Sequence, residues 1–154
     1  MLAAFVLIPV AASAETKVSL ESLPQAVQTA IKKAVGTAPI SSICQENENG
    51  KIEYEVETTY DGKLRSYEFN AKGSLLEIED AIDLDSLPAA AKSTIQNEAA
   101  GGSIKEVEKV TKHGKVSYES EITTSAGKKL EIAVTSASAI ESVENKDEEK
   151  DEAR

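Results

Sequence analysis

Two hydrophobic periods alternate along the chain. Val27, Ala30, Ile31, Ala34 and Val35 recur at helical spacing, which predicts an amphipathic helix beginning near residue 25. Ser22 suits its N-cap, Pro24 is tolerated in a first turn, and Gln25 completes a capping box. Gly36 is a stop. From Ile52 the period falls to two, and Ile52-Glu53-Tyr54-Glu55-Val56-Glu57 sets three apolar side chains on one face of a strand and three carboxylates on the other. Asn49-Gly50, Asp61-Gly62 and Lys72-Gly73 supply the positive φ of tight hairpin turns, which predicts strands near 40–48, 51–60, 63–71 and 74–80.

The same order returns 64 positions later. Leu20-Glu21-Ser22-Leu23-Pro24 aligns with Leu84-Asp85-Ser86-Leu87-Pro88, Ile31 with Ile95, and Gly50-Lys51 and Tyr54-Glu55 with Gly114-Lys115 and Tyr118-Glu119. One extra residue then shifts the offset to 65, matching Gly62-Lys63 to Gly127-Lys128 and Glu79 to Glu144. This reads as a tandem duplication, residues 18–80 and 81–144. The second helix pattern is weaker, with Ile95 as its main apolar anchor and Gly101-Gly102 at its end. The predicted class is α+β: two repeats, each one helix followed by about four antiparallel strands, with the helices packed on one sheet face. A unit of about 64 residues lies near the lower limit for an independent core. The connection Asp80-Ala81-Ile82-Asp83 is also too short for two freely tethered domains, which favours one compact body.

Outside the repeats the chain has two other segments. Leu2 to Ala11 is an apolar run too short to span a bilayer of about 30 Å, and Ala12-Ser13-Ala14 provides small residues for cleavage before Glu15, so residues 1–14 read as a signal peptide. The protein is therefore expected to be exported, periplasmic or secreted, with no stable membrane span. Residues 145–154 (NKDEEKDEAR) lack apolar periodicity and read as a charged, disordered tail. The whole chain has 17 basic and 27 acidic residues, a net charge of −10. That acidity argues against nucleic acid as a partner, since phosphate contacts need a basic patch. A single cysteine excludes an intramolecular disulfide and any multi-cysteine zinc site.

The chain resembles the PepSY-like family, in particular its secreted, β-lactamase-inhibitor-like branch. Leu23-Pro24, Gly50-Lys51, Tyr54, Gly62 and Gly73 carry the resemblance in the first copy, and Leu87-Pro88, Gly114-Lys115, Tyr118 and Gly127 in the second. Ala137-Ser138 departs from the pattern where the first copy has Lys72-Gly73. The resemblance implies a helix laid across an antiparallel sheet, in exported proteins that bind or restrain proteases and other partners without catalysis. It brings no catalytic residues and no cofactor.

Nothing in the residues themselves points to catalysis. Nucleophilic chemistry needs a base beside the nucleophile, yet His113 falls in a predicted turn, where it reads as a residue tolerant of left-handed geometry. Cys44 falls in a predicted strand with no base beside it, although pairing between chains stays open. The candidate partner face is acidic: Glu53, Glu55 and Glu57, with Glu119 and Glu121 at matching places. Like charges on neighbouring strands are unfavourable, so their clustering would imply a cationic protein or peptide partner, or Ca²⁺. Asp80, Asp83 and Asp85 read as linker and helix-terminal charges. The expected function is a non-enzymatic protein that binds a protein or peptide, with steric inhibition of a protease as its consequence. The alternative is an envelope protein that takes a cation or small ligand on its acidic face.

Overall fold

The computed structural model describes residues 15–48 and 50–146. The predicted signal peptide and residues 147–154 of the predicted tail lie outside the described residues. Strand β1 (Thr16–Lys17) is followed by a 3₁₀ turn and helix α1 (Gln25–Val35), then β2 (Ile40–Glu48), β3 (Lys51–Tyr60), β4 (Lys63–Asn70) and β5 (Leu75–Ala81). A second 3₁₀ turn and α2 (Ala89–Ala99) precede β6 (Ser103–Lys112), β7 (Lys115–Thr123), β8 (Lys129–Thr135) and β9 (Ile140–Asn145). The strands form one nine-stranded antiparallel sheet in sequence order, from β1 to β9. It is richer in strand than the sequence pattern predicts, because β1 adds a partner to β2. β9 includes Asn145, and the Lys146 N–H donates to the Lys129 carbonyl at 3.1 Å, so order reaches two residues into the stretch read as tail.

Contacts divide the described chain into two units. One holds residues 15–82 with Glu108–Val116, and the other holds Asp83–Val107 with residues 117–146. In the first, the buried face of α1 (Val27, Ile31, Val35) and Leu23 pack with Ile43, Tyr54, Val56, Tyr67 and Phe69. Val27, Ile31 and Val56 are fully buried, each contributing about 1.5–3 kcal/mol of transfer free energy. The turn between β4 and β5 presses against α1, since a Cβ at Gly73 would lie 2.7 Å from the Ala26 carbonyl oxygen. In the other unit α2 lies against β8. Its buried positions are Ala91, Ile95 and Ala99, and Ile122, Leu130, Ile132 and Val134 are buried on β7 and β8.

The helix starts differ from the expected capping box. Pro24 and Pro88 occupy the N-cap positions without a side-chain cap. Ser22 belongs to the 3₁₀ turn and donates its hydroxyl to the Ser19 carbonyl at 2.7 Å. Gln25 makes no capping-box bond and donates its amide to the Thr29 hydroxyl at 3.5 Å, while the Gln28 amide donates to the Leu23 carbonyl at 2.9 Å and ties the helix to the turn before it. A proline-fixed φ enforces the turn into each helix, so no serine cap is needed. At the far end Gly36 ends α1 with φ 64°, as expected. α2 ends one residue before its glycine pair, with Ala100 left-handed at φ 50°.

Candidate functional site: the acidic sheet face of the first unit

In a strand, alternate side chains share a face, so Tyr54, Val56 and Thr58 turn toward α1 while Glu53, Glu55 and Glu57 turn away. Register then decides what stands beside each glutamate. The tight turn at Asp61-Gly62, both left-handed, pairs Tyr60 with Lys63 and so sets Glu55 opposite Glu68. Glu68 in turn faces Glu77 on β5, and Glu77 faces Lys112 on β6. On the other side Glu55 faces Cys44, and Cys44 faces Lys17. One row thus crosses six strands as Lys17, Cys44, Glu55, Glu68, Glu77 and Lys112, with three adjacent acids and a lysine at each end. A second row holds Glu46 opposite Glu53, and a third holds Ser42, Glu57, Ser66 and Glu79.

Part of this face is shielded from water. Ser66, Glu77 and Val110 are 5, 8 and 1% exposed. Glu77 is held by the Lys112 ammonium at 2.6 Å, and Glu57 accepts a hydrogen bond from Ser42. Burial raises the pKa of Glu55, opposed by the hydroxyl that Ser66 donates to it. Glu68 is pushed up to about 8, first by burial and then by a hydrogen bond and charge repulsion from Glu53. Two carboxyl groups bonded in this way share one proton. Cys44 is likewise held above the ordinary thiol value, by burial and then by the Glu15 carboxylate, which disfavours the reactive thiolate.

Three carboxylates at the β1 edge could hold a cation. Oxygens of Glu15, Glu46 and Glu55 all lie within 4.8 Å of one another. Two oxygens bound to one Ca²⁺ at about 2.4 Å can be at most about 4.8 Å apart, so the cluster is small enough to share an ion.

The structure brings Glu53, Glu55 and Glu57 together, whereas Glu119 and Glu121 belong to the other unit. There Glu121 faces Glu131, which faces Glu144. Sequence reasoning missed Glu15, Glu46, Glu68 and Glu77. The alternation Tyr67-Glu68-Phe69 carried a signal for Glu68. His113 occupies the expected turn with φ 51°.

These features define the class of protein: an α+β chain whose sheet is an unbroken run of antiparallel strands carrying two helices. The family model described as beta-lactamase-inhibitor-like, PepSY-like matches residues 11–67 and 53–140, and the chain belongs to that family. The two segments fit two tandem copies. Among solved structures, a candidate periplasmic protein from Bacteroides eggerthii has 18% identity and TM-score 0.69, with 84% of this chain and 93% of that one covered. A DUF2874 family protein from Bacteroides ovatus has 16% identity and TM-score 0.68, covering 86 and 94%. A BLIP-like protein from Bacteroides fragilis has 18% identity and TM-score 0.62, covering 80 and 86%. At such identities the likeness is one of fold. No curated protein matches the chain. Among the described residues, no helix is long and apolar enough to cross a membrane.

Proposed function

We propose that this is an exported, non-enzymatic binding protein whose acidic sheet face and adjoining hairpin loops receive a protein or peptide partner bearing basic groups. A protease is the partner class favoured, inhibited by steric occlusion. The observation that carries this reading is the cluster of half-buried glutamates Glu46, Glu53, Glu55 and Glu57 on the neighbouring strands β2 and β3. Glu46 stands directly opposite Glu53, and opposed like charges destabilise a sheet, so this cluster gains free energy when a cation meets it. The apolar run at residues 2–11, and the relative described as a candidate periplasmic protein, support export. The inhibitor-like family supports a partner that is a protein. The test is to capture partners from the native envelope fraction at low and high salt and assay the co-encoded proteases with added protein. At least one protease should slow, and a Glu53→Gln, Glu57→Gln variant should bind its partner more weakly. Inertness across that panel would sink the inhibitory reading.

The carboxylates of Glu15, Glu46 and Glu55 favour a second reading, a divalent cation held on the same face. Calorimetry with Ca²⁺ separates the two. Micromolar binding lost in a Glu46→Gln, Glu55→Gln variant would support the cation.

A further inference from the structure

Lysines gather in one small cavity of this acidic chain. Lys105 on β6, Lys129 at the start of β8 and Lys146 just after β9 line a cavity of about 220 Å³, with Glu121 and Thr123 of β7 in the same wall. Antiparallel order brings them there. Thr123 pairs with Lys129, and Leu130 with Asn145, so these strand ends meet at one end of the unit. Lys146 is neutralised by Glu131 at 3.1 Å, and both side chains are largely buried, at 25 and 29% exposure. Lys105 is exposed, with no ion pair among the described residues.

The fold does not require these lysines. At the repeat offsets of 64 and 65, the positions equivalent to Lys105, Lys129 and Lys146 are Ser41, Leu64 and Ala81. Those residues stand on or at the ends of the corresponding strands β2, β4 and β5. The same architecture is therefore built once with no lysine at these places and once with three. Three lysines stand against the two glutamates Glu121 and Glu131, a net positive charge at the cavity that an anion would balance.

We propose that this cavity binds a phosphate group. Lysines are point-charge phosphate binders that need no planar bidentate geometry, and the Thr123 hydroxyl adds a neutral donor. The volume sets the size of the ligand. It lies below the range of about 300–1,000 Å³ typical of sites for drug-sized molecules, so it suits a free phosphate, a short phosphomonoester or a single lipid headgroup. Glu121 tempers the affinity, since its carboxylate repels the same anion.

The test is titration of inorganic phosphate into the ¹⁵N-labelled full chain, with sodium chloride at matched ionic strength as the reference. Amide shifts should be confined to residues 105, 121–123, 129–130 and 146, and should saturate. A Lys105→Gln, Lys129→Gln variant should weaken binding by about tenfold or more, while its melting temperature shows the fold retained. Glu121→Gln should tighten binding several-fold, a gain that a merely structural cluster would not give. Two further arms identify the source of the phosphate. Lysine-dependent binding of glycerol 3-phosphate indicates a soluble ester. Lysine-dependent sedimentation with phosphatidylglycerol vesicles, absent with phosphatidylcholine and competed by free phosphate, indicates a headgroup. Equal shifts with chloride, scattered shifts, or unaltered binding by the double lysine variant would overturn the proposal.

Discussion

Glu68 is an ordinary glutamate in sequence and an unusual one in place. Facing Glu55 and Glu77 across the ladder and bonded to Glu53, it is pushed up to about 8 from an unfolded value of about 4.3. The folded state therefore binds a proton more tightly than the unfolded chain, and stability falls as pH rises between these two values. Glu68 is partly exposed, so solvent screening reduces the effect to about 1–2 kcal/mol. Urea midpoints should be higher at pH 5.5 than at pH 8.5 on this account, and Glu68→Gln should remove most of that difference while stabilising the protein at pH 8.5. An unchanged pH slope in the variant would contradict the shared proton. Cys44, in the same row, should react with thiol reagents at pH 8 several-fold more slowly than free cysteine, because its thiolate is disfavoured. A rate equal to that of the free amino acid would contradict this.

At the scale of elements, the helix ends hold the clearest difference between the copies. Gly36 combines φ 64° with ψ −121°, a conformation open to glycine, whereas Ala100 at the matching position is left-handed helical, at φ 50° and ψ 41°. Ala100→Gly should therefore stabilise by about 0.5–1 kcal/mol, and Gly36→Ala should destabilise by more than that, since a Cβ is tolerated less at positive φ with ψ −121° than in the left-handed helical region. Thermal melts decide both. Gly102 is different, since a Cβ there would lie 1.9 Å from the Thr123 carbonyl oxygen, and Gly102→Ala should cost more than either. Much of this scale was legible in the sequence. The strand spans in the first copy came from period-two patterning and turn glycines, because each turn residue reports a local backbone demand. The glutamate faces of β3 and β7 followed from the same alternation. Cap identity did not, because the proline-fixed approach to each helix replaces the serine cap. Nor did the full acidic row. The bulge between Glu68 and Phe69 alters the register by one residue, and the pairing of β5 with β6 joins distant segments whose alignment no local turn announces.

For the whole molecule, the net charge of −10 matters through its arrangement. Glu46 with Glu53, Glu55 with Glu68, Glu68 with Glu77, Glu121 with Glu131 and Glu131 with Glu144 stand directly opposite each other. Side chains so placed are separated by about 5 Å at Cβ, inside the screening length of about 10 Å at 0.1 M salt but beyond that of about 3 Å at 1 M. Raising sodium chloride from 0.1 to 1 M should thus relieve these repulsions. The same salt weakens exposed ion pairs such as Lys92 with Asp85, which contribute little, and screens the shielded pair of Lys112 with Glu77 less, so repulsion relieved should outweigh attraction lost. Proton sharing by Glu68 adds a condition. Near pH 6 the central acid of the row is neutral and two of the five repulsive contacts are silent, whereas at pH 9 it is charged and all five act. Salt should therefore stabilise the protein more at pH 9 than at pH 6, by a margin of about 1 kcal/mol for the two contacts restored. Urea denaturation at the four combinations of pH and salt measures that margin, and Glu68→Gln should abolish it. An equal salt effect at both pH values would mean that the acidity is spread over the surface without mattering row by row.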